Sequence, residues 1–258
     1  MGQLTKLKQL TNLKHVGLAI GMLVASTSFA AAQTYGKLQG AQFGSGSKAT
    51  VVVLHGDVSG GDGKSPANYH YNLASRIASQ NKNATVVALL RPGYHDGKGR
   101  KSPGRRTFDQ YTKTNNNMVA DALKALKTAR PNAELIVVGH SGGAAQTGAV
   151  LGRFQGLIDT GILMACPCHL TKWRKGRKKM ERGQSPHRYV SKIDKDTRVV
   201  AITGSADGNT KPELAEDFIA RAKSADLSSQ LVIVKGAGHN SKALYNAMYK
   251  AVKAEIRN

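Results

Sequence analysis

The stretch that decides the fold is Leu135-Ile-Val-Val-Gly-His-Ser-Gly-Gly-Ala-Ala145. It begins as a continuous apolar run, which is typical of a β-strand that is buried on both faces. The run ends in Gly139-His-Ser-Gly-Gly143, and a helical stretch rich in alanine and glycine follows. A buried strand, a tight turn and a helix in this order predict one unit of a parallel α/β sheet, with Ser141 at the turn.

The same alternation of strand and helix extends from this unit in both directions. Further apolar, β-branched runs predict strands at Ala49–Leu54, Thr85–Leu90, Gly161–Ala165, Arg198–Thr203 and Leu231–Val234. Helical patterns predict helices over Ser65–Gln80, Asn115–Ala129, a stretch after Ser141, Thr210–Asp226 and Ser241–Ile256, the first with Pro66 in its first helical position. We therefore expect an α/β fold with a mostly parallel central sheet and helices on both faces. A short hairpin within Thr34–Gly44 would precede it.

The length and composition fit one folded enzyme-sized domain. The chain has 258 residues, of which 40% are hydrophobic and 21% charged, and its formal net charge is +22. These figures exclude a disordered chain, a collagen, a coiled coil and a multi-span membrane protein. We expect a single domain over residues 33–258.

Residues 1–32 have the layout of a secretory signal peptide of the bacterial type. Three lysines precede a short apolar run at Val16–Val24, and small residues follow up to Ala32. The run is too short to span a bilayer as a helix. We expect cleavage after Ala30 or Ala32 and a periplasmic or secreted protein; the alternative is an uncleaved anchor.

The two cysteines are separated by a single proline. A bridge between Cys166 and Cys168 would close a small ring, so reduced or unusually paired thiols are favoured over an ordinary disulfide. Cys166-Pro-Cys-His169 also resembles half of a zinc site, but a structural zinc site needs four ligands and the sequence offers no second cluster. We therefore expect no metal.

The turn at Ser141 matches the pattern Gly-x-Ser-x-Gly in the strand–turn–helix setting of a nucleophile elbow. The turn is so tight that side chains at Gly139 and Gly143 would collide with neighbouring elements. The following helix directs its first N–H groups toward the serine, which favours a bound oxyanion.

A serine hydroxyl needs a base, and the base needs an orienting acid. His239 follows the last predicted strand and Asp207 follows the strand before it, so both lie at the same sheet edge as Ser141. At this edge the strand 51–54 ends in His-Gly-Asp57. The backbone N–H groups of Asp57 and Gly142 are the predicted oxyanion donors.

In these features the chain resembles the α/β-hydrolase superfamily. The resemblance spans about residues 49–250 and includes the strand with His-Gly at 51–57, the loop Leu90-Arg-Pro-Gly-Tyr94, the elbow, Asp207 and His239. It implies hydrolysis of esters or amides through a covalent serine intermediate, without a cofactor. One departure is the acidic Asp57, whose carboxylate would oppose an oxyanion unless it points away.

Two loops that follow predicted strands are strongly basic. Residues 91–106 hold six lysines and arginines against one acid, and residues 171–188 hold eight against one. The second loop belongs to a short lid-like insertion at about 166–190, which is basic where lipases carry an apolar lid. A substrate rim is predicted at Arg91, Tyr94, Trp173 and Arg174. The charge would gather anionic substrates or bind an anionic cell envelope, or it would serve solubility alone.

The leading hypothesis is an exported serine hydrolase, a carboxylesterase for short or medium acyl esters. Its substrate would be a small ester or amide, and the basic loops would favour an anionic one. A peptidase or an acyltransferase with the same three residues is a close alternative. A different class is an envelope- or polyanion-binding protein on a hydrolase scaffold. Nucleic acid is not an expected partner, because the sequence holds no recognition motif and export would separate the protein from it.

Overall fold

An eight-stranded sheet forms the centre of the computed structural model, which describes residues 33–58, 65–106 and 111–256. The predicted signal peptide lies outside the described residues. The strands are β1 Gln33–Tyr35, β2 Leu38–Phe43, β3 Ala49–Leu54, β4 Ala84–Leu89, β5 Glu134–His140, β6 Thr160–Met164, β7 Arg198–Gly204 and β8 Ser229–Val234. Their order is β1-β2-β4-β3-β5-β6-β7-β8, and β3 to β8 pair in parallel. The antiparallel hairpin of β1 and β2 is the short leading hairpin that the sequence predicted, and the structure shows that it extends the sheet beside β4.

Helices cover both faces of the sheet. They are α1 Tyr69–Gln80, α2 Lys113–Ala129, α3 Gly142–Arg153, α4 Leu170–Trp173, α5 Lys178–Arg182, α6 Pro212–Ser224 and α7 Lys242–Glu255. Apolar side chains of α2, α3 and α6 form one buried cluster with the sheet, and those of α1 and α7 form the other. The predicted fold class is thus confirmed. In the described ranges, no helix is apolar over a length that would cross a bilayer.

One helix begins later than the sequence predicts. Helix α1 starts at Tyr69, so the prediction that Pro66 occupies its first turn is wrong. The reason is a tertiary contact, because the N–H of Ala67 donates to the carbonyl of His95 over 2.8 Å. The segment before Tyr69 therefore pairs with a neighbouring loop instead of continuing the helix.

The two cysteines are bonded to each other. The disulfide joins Cys166 and Cys168, whose Cα atoms are 5.0 Å apart, in the loop that follows β6. Of the two alternatives that the sequence left open, reduced thiols or an unusual pairing across one residue, the structure has the second. Neither sulfur is a free thiolate, and in the described part of the chain no three His, Cys, Asp or Glu side chains gather as a metal site.

Candidate active site

Ser141 occupies a strained turn between β5 and α3. Its φ angle is 50°, a left-handed conformation that is rare for a residue with a side chain. A Cβ atom on Gly139 would lie 2.5 Å from the backbone of Ala144, and one on Gly143 would lie 2.4 Å from the carbonyl oxygen of Leu54. The predicted reason for glycine at these two positions, the lack of space for a side chain, is confirmed.

The loops after β7 and β8 bring an acid and an imidazole to this turn. His239 Nε2 lies 3.0 Å from Ser141 Oγ, and His239 Nδ1 lies 2.8 Å from Asp207 Oδ2. With its proton on Nδ1, the imidazole donates to Asp207 and accepts from the serine hydroxyl. This hydrogen-bond sequence can withdraw the hydroxyl proton as the oxygen attacks a carbonyl.

The carboxylate of Asp207 is fixed by its own loop. Its Oδ1 accepts from the N–H groups of Asn209 and Thr210, each over 2.9 Å, and the Thr210 hydroxyl lies 2.7 Å from Oδ2. Burial opposes the negative charge, but hydrogen bonds from His239 and Thr210 outweigh burial and hold the pKa of Asp207 below its usual value. Asp207 therefore remains ionised and in place to orient His239.

The loop after β3 packs against the elbow. A Cβ atom on Gly56 would lie 3.0 Å from Ser141 Cβ, and one on Gly142 would lie 2.3 Å from Asp57 Oδ1. Gly142 is the first residue of α3, so its N–H has no acceptor within the helix. The N–H of Gly56 already donates to the hydroxyl of Tyr69. The two segments predicted to supply the oxyanion donors thus meet beside Ser141.

The carboxylate of Asp57 is paired within the protein. Its Oδ1 accepts from Arg91 Nη1 over 2.9 Å and from the Tyr94 hydroxyl over 3.2 Å, and its Oδ2 accepts from the Tyr111 hydroxyl over 2.6 Å. Burial has the largest single effect and disfavours the Arg91 cation, yet Asp57 together with Tyr94 and Tyr111 outweighs burial and raises the pKa of Arg91. The negative charge of Asp57, which departs from the family pattern, is therefore balanced by the buried Arg91 cation.

Arg91 and Tyr94 do not lie at a substrate rim, and their prediction as rim residues is wrong. Each is only 1% exposed. Besides Asp57, Arg91 binds the carbonyl of His55 and the side chain of Gln146 on α3, over 3.1 and 2.6 Å. The loop composition suggested a solvent-facing cation, whereas the guanidinium connects the β3 loop to the elbow helix.

A pocket of about 850 Å³ opens beside Ser141 and His239. Trp173 and Arg174 line it, where the sequence predicted a rim, and Arg177 joins them. Apolar and aromatic groups supply much of the remaining wall: Val58, Pro66, Tyr69, Leu73, Met180 and Tyr245. A cavity of this size accommodates a small molecule.

Asn209 connects the basic lid to the imidazole of His239 and was not predicted from the sequence. Its Nδ2 lies 3.2 Å from His239 Nε2, while its Oδ1 accepts from Arg174 Nη2 over 2.6 Å. Its backbone carbonyl accepts from the indole N–H of Trp173 over 3.0 Å. The only signal in the sequence was its position two residues after Asp207.

Tyr69 and His140 form a second contact between the site's loops. The Tyr69 hydroxyl lies 2.7 Å from His140 Nδ1, and His140 Nε2 lies 3.4 Å from the carbonyl oxygen of His239. Tyr69 also accepts from Gly56, so one chain of contacts runs from the β3 loop to the His239 loop. The sequence gave Tyr69 no role, because it lies in a helix and matches no motif.

Three buried histidines surround the base of the site. Burial lowers the pKa of His70 to about 3, and burial together with the nearby His239 lowers that of His140 to about 4. Burial and the neighbouring His70 hold the pKa of His55 well below its usual range. All three imidazoles are therefore neutral in the folded protein near neutral pH.

We expect these three imidazoles to make the free energy of unfolding fall as the pH is lowered from about 6.5 toward 4, together by up to about 4 kcal/mol per pH unit. The unfolded chain protonates these imidazoles near pH 6.5, whereas the folded protein keeps them neutral to lower pH, so acid favours the unfolded state. Urea unfolding between pH 4.5 and 7 measures this slope. His70→Phe keeps a ring between His55 and Tyr71. We expect this variant to have a smaller slope of unfolding free energy against pH, by the contribution of one proton, about 1.4 kcal/mol per pH unit. An unchanged slope in that variant would contradict the assignment.

Solved structures of hydrolases share this architecture. The esterase PE8 is 20% identical, with a TM-score of 0.61 over 86% of this chain and 100% of PE8. The Pyrococcus furiosus esterase Pf2001 is 17% identical, with a TM-score of 0.64 over 89% of this chain and 94% of Pf2001. The Pyrococcus horikoshii acylaminoacyl peptidase is 16% identical, with a TM-score of 0.63 over 84% of this chain but only 38% of the peptidase. At these identities the likeness shows a common fold.

A comparison with family sequence profiles shows which family the chain belongs to. The alpha/beta hydrolase family matches residues 51–190, which include the β3 loop, the elbow and the lid. No curated protein sequence matches the chain. The family match covers more than half of the residues and agrees with the sheet order and the structural neighbours, so the protein is a member of the alpha/beta hydrolase family.

Proposed function

We propose that the protein is a serine hydrolase that cleaves carboxylic esters through an acyl-serine intermediate. The observation that carries the proposal is the unbroken hydrogen-bond sequence from Ser141 through His239 to Asp207. The strained elbow that presents Ser141, and the neutralised Asp57 beside it, support the same chemistry.

In the proposed reaction, Ser141 Oγ attacks the ester carbonyl while His239 Nε2 accepts the hydroxyl proton. Asp207 stabilises the imidazolium that forms. The backbone N–H groups of Asp57 and Gly142 bind the oxyanion of the tetrahedral intermediate. The intermediate collapses to the acyl-serine as His239 returns the proton to the leaving alkoxide. Water then attacks the acyl-serine with His239 as the base, which releases the carboxylic acid and restores Ser141.

The pocket favours esters with short or medium acyl groups. Its volume of about 850 Å³ fits a small molecule, and its wall mixes apolar groups with arginines. The lid helices α4 and α5 carry several basic residues, whereas a long acyl chain would need a continuous apolar surface. These features argue against long-chain fats as substrates.

We infer in addition that the protein is exported to the periplasm or secreted. The inference rests on the lysines, the short apolar run and the small residues within positions 1–32. The disulfide between Cys166 and Cys168 supports it, because disulfides persist mainly in oxidising compartments.

Labelling with a fluorophosphonate, followed by intact-mass analysis and peptide mapping, tests both proposals on protein expressed from the full-length gene. We expect one adduct, on Ser141, and a mature chain that begins at Ala31 or Gln33. His239→Ala is expected to lose the adduct, because the hydroxyl then lacks its base.

A folded protein that takes up no label, or takes it up on another serine, would contradict the serine hydrolase. A protein that stays in the cytoplasm with an uncleaved amino terminus would contradict export but would leave the serine hydrolase unaffected. Assays of a matched 4-nitrophenyl ester and 4-nitroanilide then compare esterase with peptidase activity, and faster cleavage of the anilide would favour the peptidase.

A further inference from the structure

The pocket that contains Ser141 has a positively charged wall. Arg174 and Arg177 line it, and Asp57 is the acidic side chain among the described lining residues. The charge of Asp57 is already balanced, because its two oxygens bind Arg91 and Tyr111. The pocket therefore presents two cations to a ligand without an opposing free carboxylate from the described residues.

Arg174 is held in a fixed position by neutral groups. Its Nη2 donates to Asn209 Oδ1 over 2.6 Å, and its guanidinium carbon lies 4.2 Å from the centre of the Trp173 ring. The Trp173 indole is in turn anchored to the backbone of Asn209. In the described ranges no carboxylate forms an ion pair with Arg174. A half-buried guanidinium that is oriented but has no anionic partner is suited to bind a carboxylate.

This cation lies close to the reacting groups. The Asn209 side chain that accepts from Arg174 directs its other end at His239 Nε2, 3.2 Å away. That nitrogen is 3.0 Å from Ser141 Oγ. A single amide group separates the guanidinium from the imidazole. A substrate anion that binds Arg174 would therefore be attached only a few covalent bonds from the scissile carbonyl.

We propose that the substrate is an ester with a carboxylate a few bonds from the scissile bond, and that Arg174, assisted by Arg177, binds this carboxylate. This inference rests on the proposed esterase function and specifies its substrate class. The apolar wall at Val58, Leu73 and Tyr245 receives the uncharged part of the molecule. Lys175 is exposed in the same segment and is not part of the pocket, so it provides a matched control.

Two substrate pairs test the proposal, each pair differing only in a carboxylate and its neutral amide. In 4-butyryloxybenzoate and 4-butyryloxybenzamide the group lies on the alcohol side, and in phenyl hemiadipate and its terminal primary amide it lies on the acyl side. We expect kcat/KM to favour the carboxylate at least about tenfold in one pair. Arg174→Gln combined with Arg177→Gln is expected to remove the preference, whereas Lys175→Gln keeps it. The ratio within one variant cancels any effect that Arg174 exerts through Asn209 on His239.

Equal kcat/KM values in both pairs, on an enzyme that hydrolyses the esters, would overturn the carboxylate site and leave the esterase intact. An equal loss of preference in Lys175→Gln would also overturn it, because general surface charge would then explain the effect. Absence of both ester turnover and fluorophosphonate labelling would overturn the esterase and this inference together. A third pair is a peptide with a free carboxyl terminus and the same peptide with an amidated terminus. A carboxylate preference in this pair and not in the ester pairs would show that the recognised carboxylate is a peptide carboxyl terminus and not that of a carboxylate-bearing ester.

Discussion

Replacing Ser141 with alanine is expected to lower kcat for ester hydrolysis by about 10⁴- to 10⁶-fold. The hydroxyl is the atom that would bond to the acyl carbon, and no other group in the hydrogen-bond sequence can replace it. The side chain's recorded hydrogen bond is to His239. The free energy of unfolding should therefore change by less than about 1 kcal/mol. Burst-phase kinetics with a chromogenic ester and urea unfolding measure the two quantities.

The other two residues of the proposed catalytic triad, His239 and Asp207, are expected to give a graded and non-additive series. His239→Ala is expected to match Ser141→Ala, and the double variant should be no slower than either, because all three residues act as a unit. Asp207→Asn is expected to lose about 10⁴-fold, since the amide favours the wrong imidazole tautomer. His95→Gln, a loop histidine outside the site, is the matched control and should keep full activity. More than a tenth of the wild-type rate in Ser141→Ala would exclude Ser141 as the nucleophile.

Much of the architecture could be predicted because it depends on local patterns. Strands buried on both faces produce continuous apolar runs, and β3 was located to the residue. The elbow glycines are required by contacts within one strand–turn–helix unit. Asp207 and His239 were found because the carboxyl ends of parallel strands share one edge, so their order along the chain sufficed.

Features that depend on contacts between distant segments could not be predicted. Arg91 lies in a basic loop and looked like a surface cation, but its partners Asp57 and Gln146 are 34 and 55 residues away in sequence. Asn209 acquires its role from Arg174 on the lid, and no local motif marks that contact. Loop composition gives net charge, whereas burial and pairing are set by the tertiary structure.

Replacing the buried cation at Arg91 with methionine is expected to lower kcat by about 10²- to 10³-fold and to reduce the free energy of unfolding by about 3–5 kcal/mol. The variant leaves the Asp57 carboxylate with its two tyrosine hydrogen bonds but without its cationic partner. This unbalanced negative charge lies beside the predicted oxyanion donors and repels the charge that develops in the transition state. It also releases the β3 loop from Gln146 on α3. We expect KM to change much less than kcat, because the repulsion acts mainly on the transition state.

A second substitution distinguishes this electrostatic role from simple loss of packing. Asp57→Asn in the Arg91→Met background removes the carboxylate charge that lacks a cation. We expect the double variant to have a kcat at least about tenfold higher than Arg91→Met, although Asp57→Asn alone should lower kcat relative to the wild type. Arg105→Met, at an exposed arginine of the same loop, is the control and should behave as wild type. If the double variant were as slow as Arg91→Met, Arg91 would act only by holding the loop in place. Recovery would instead show that Arg91 makes an acidic residue tolerable at a position where the reaction requires stabilisation of negative charge.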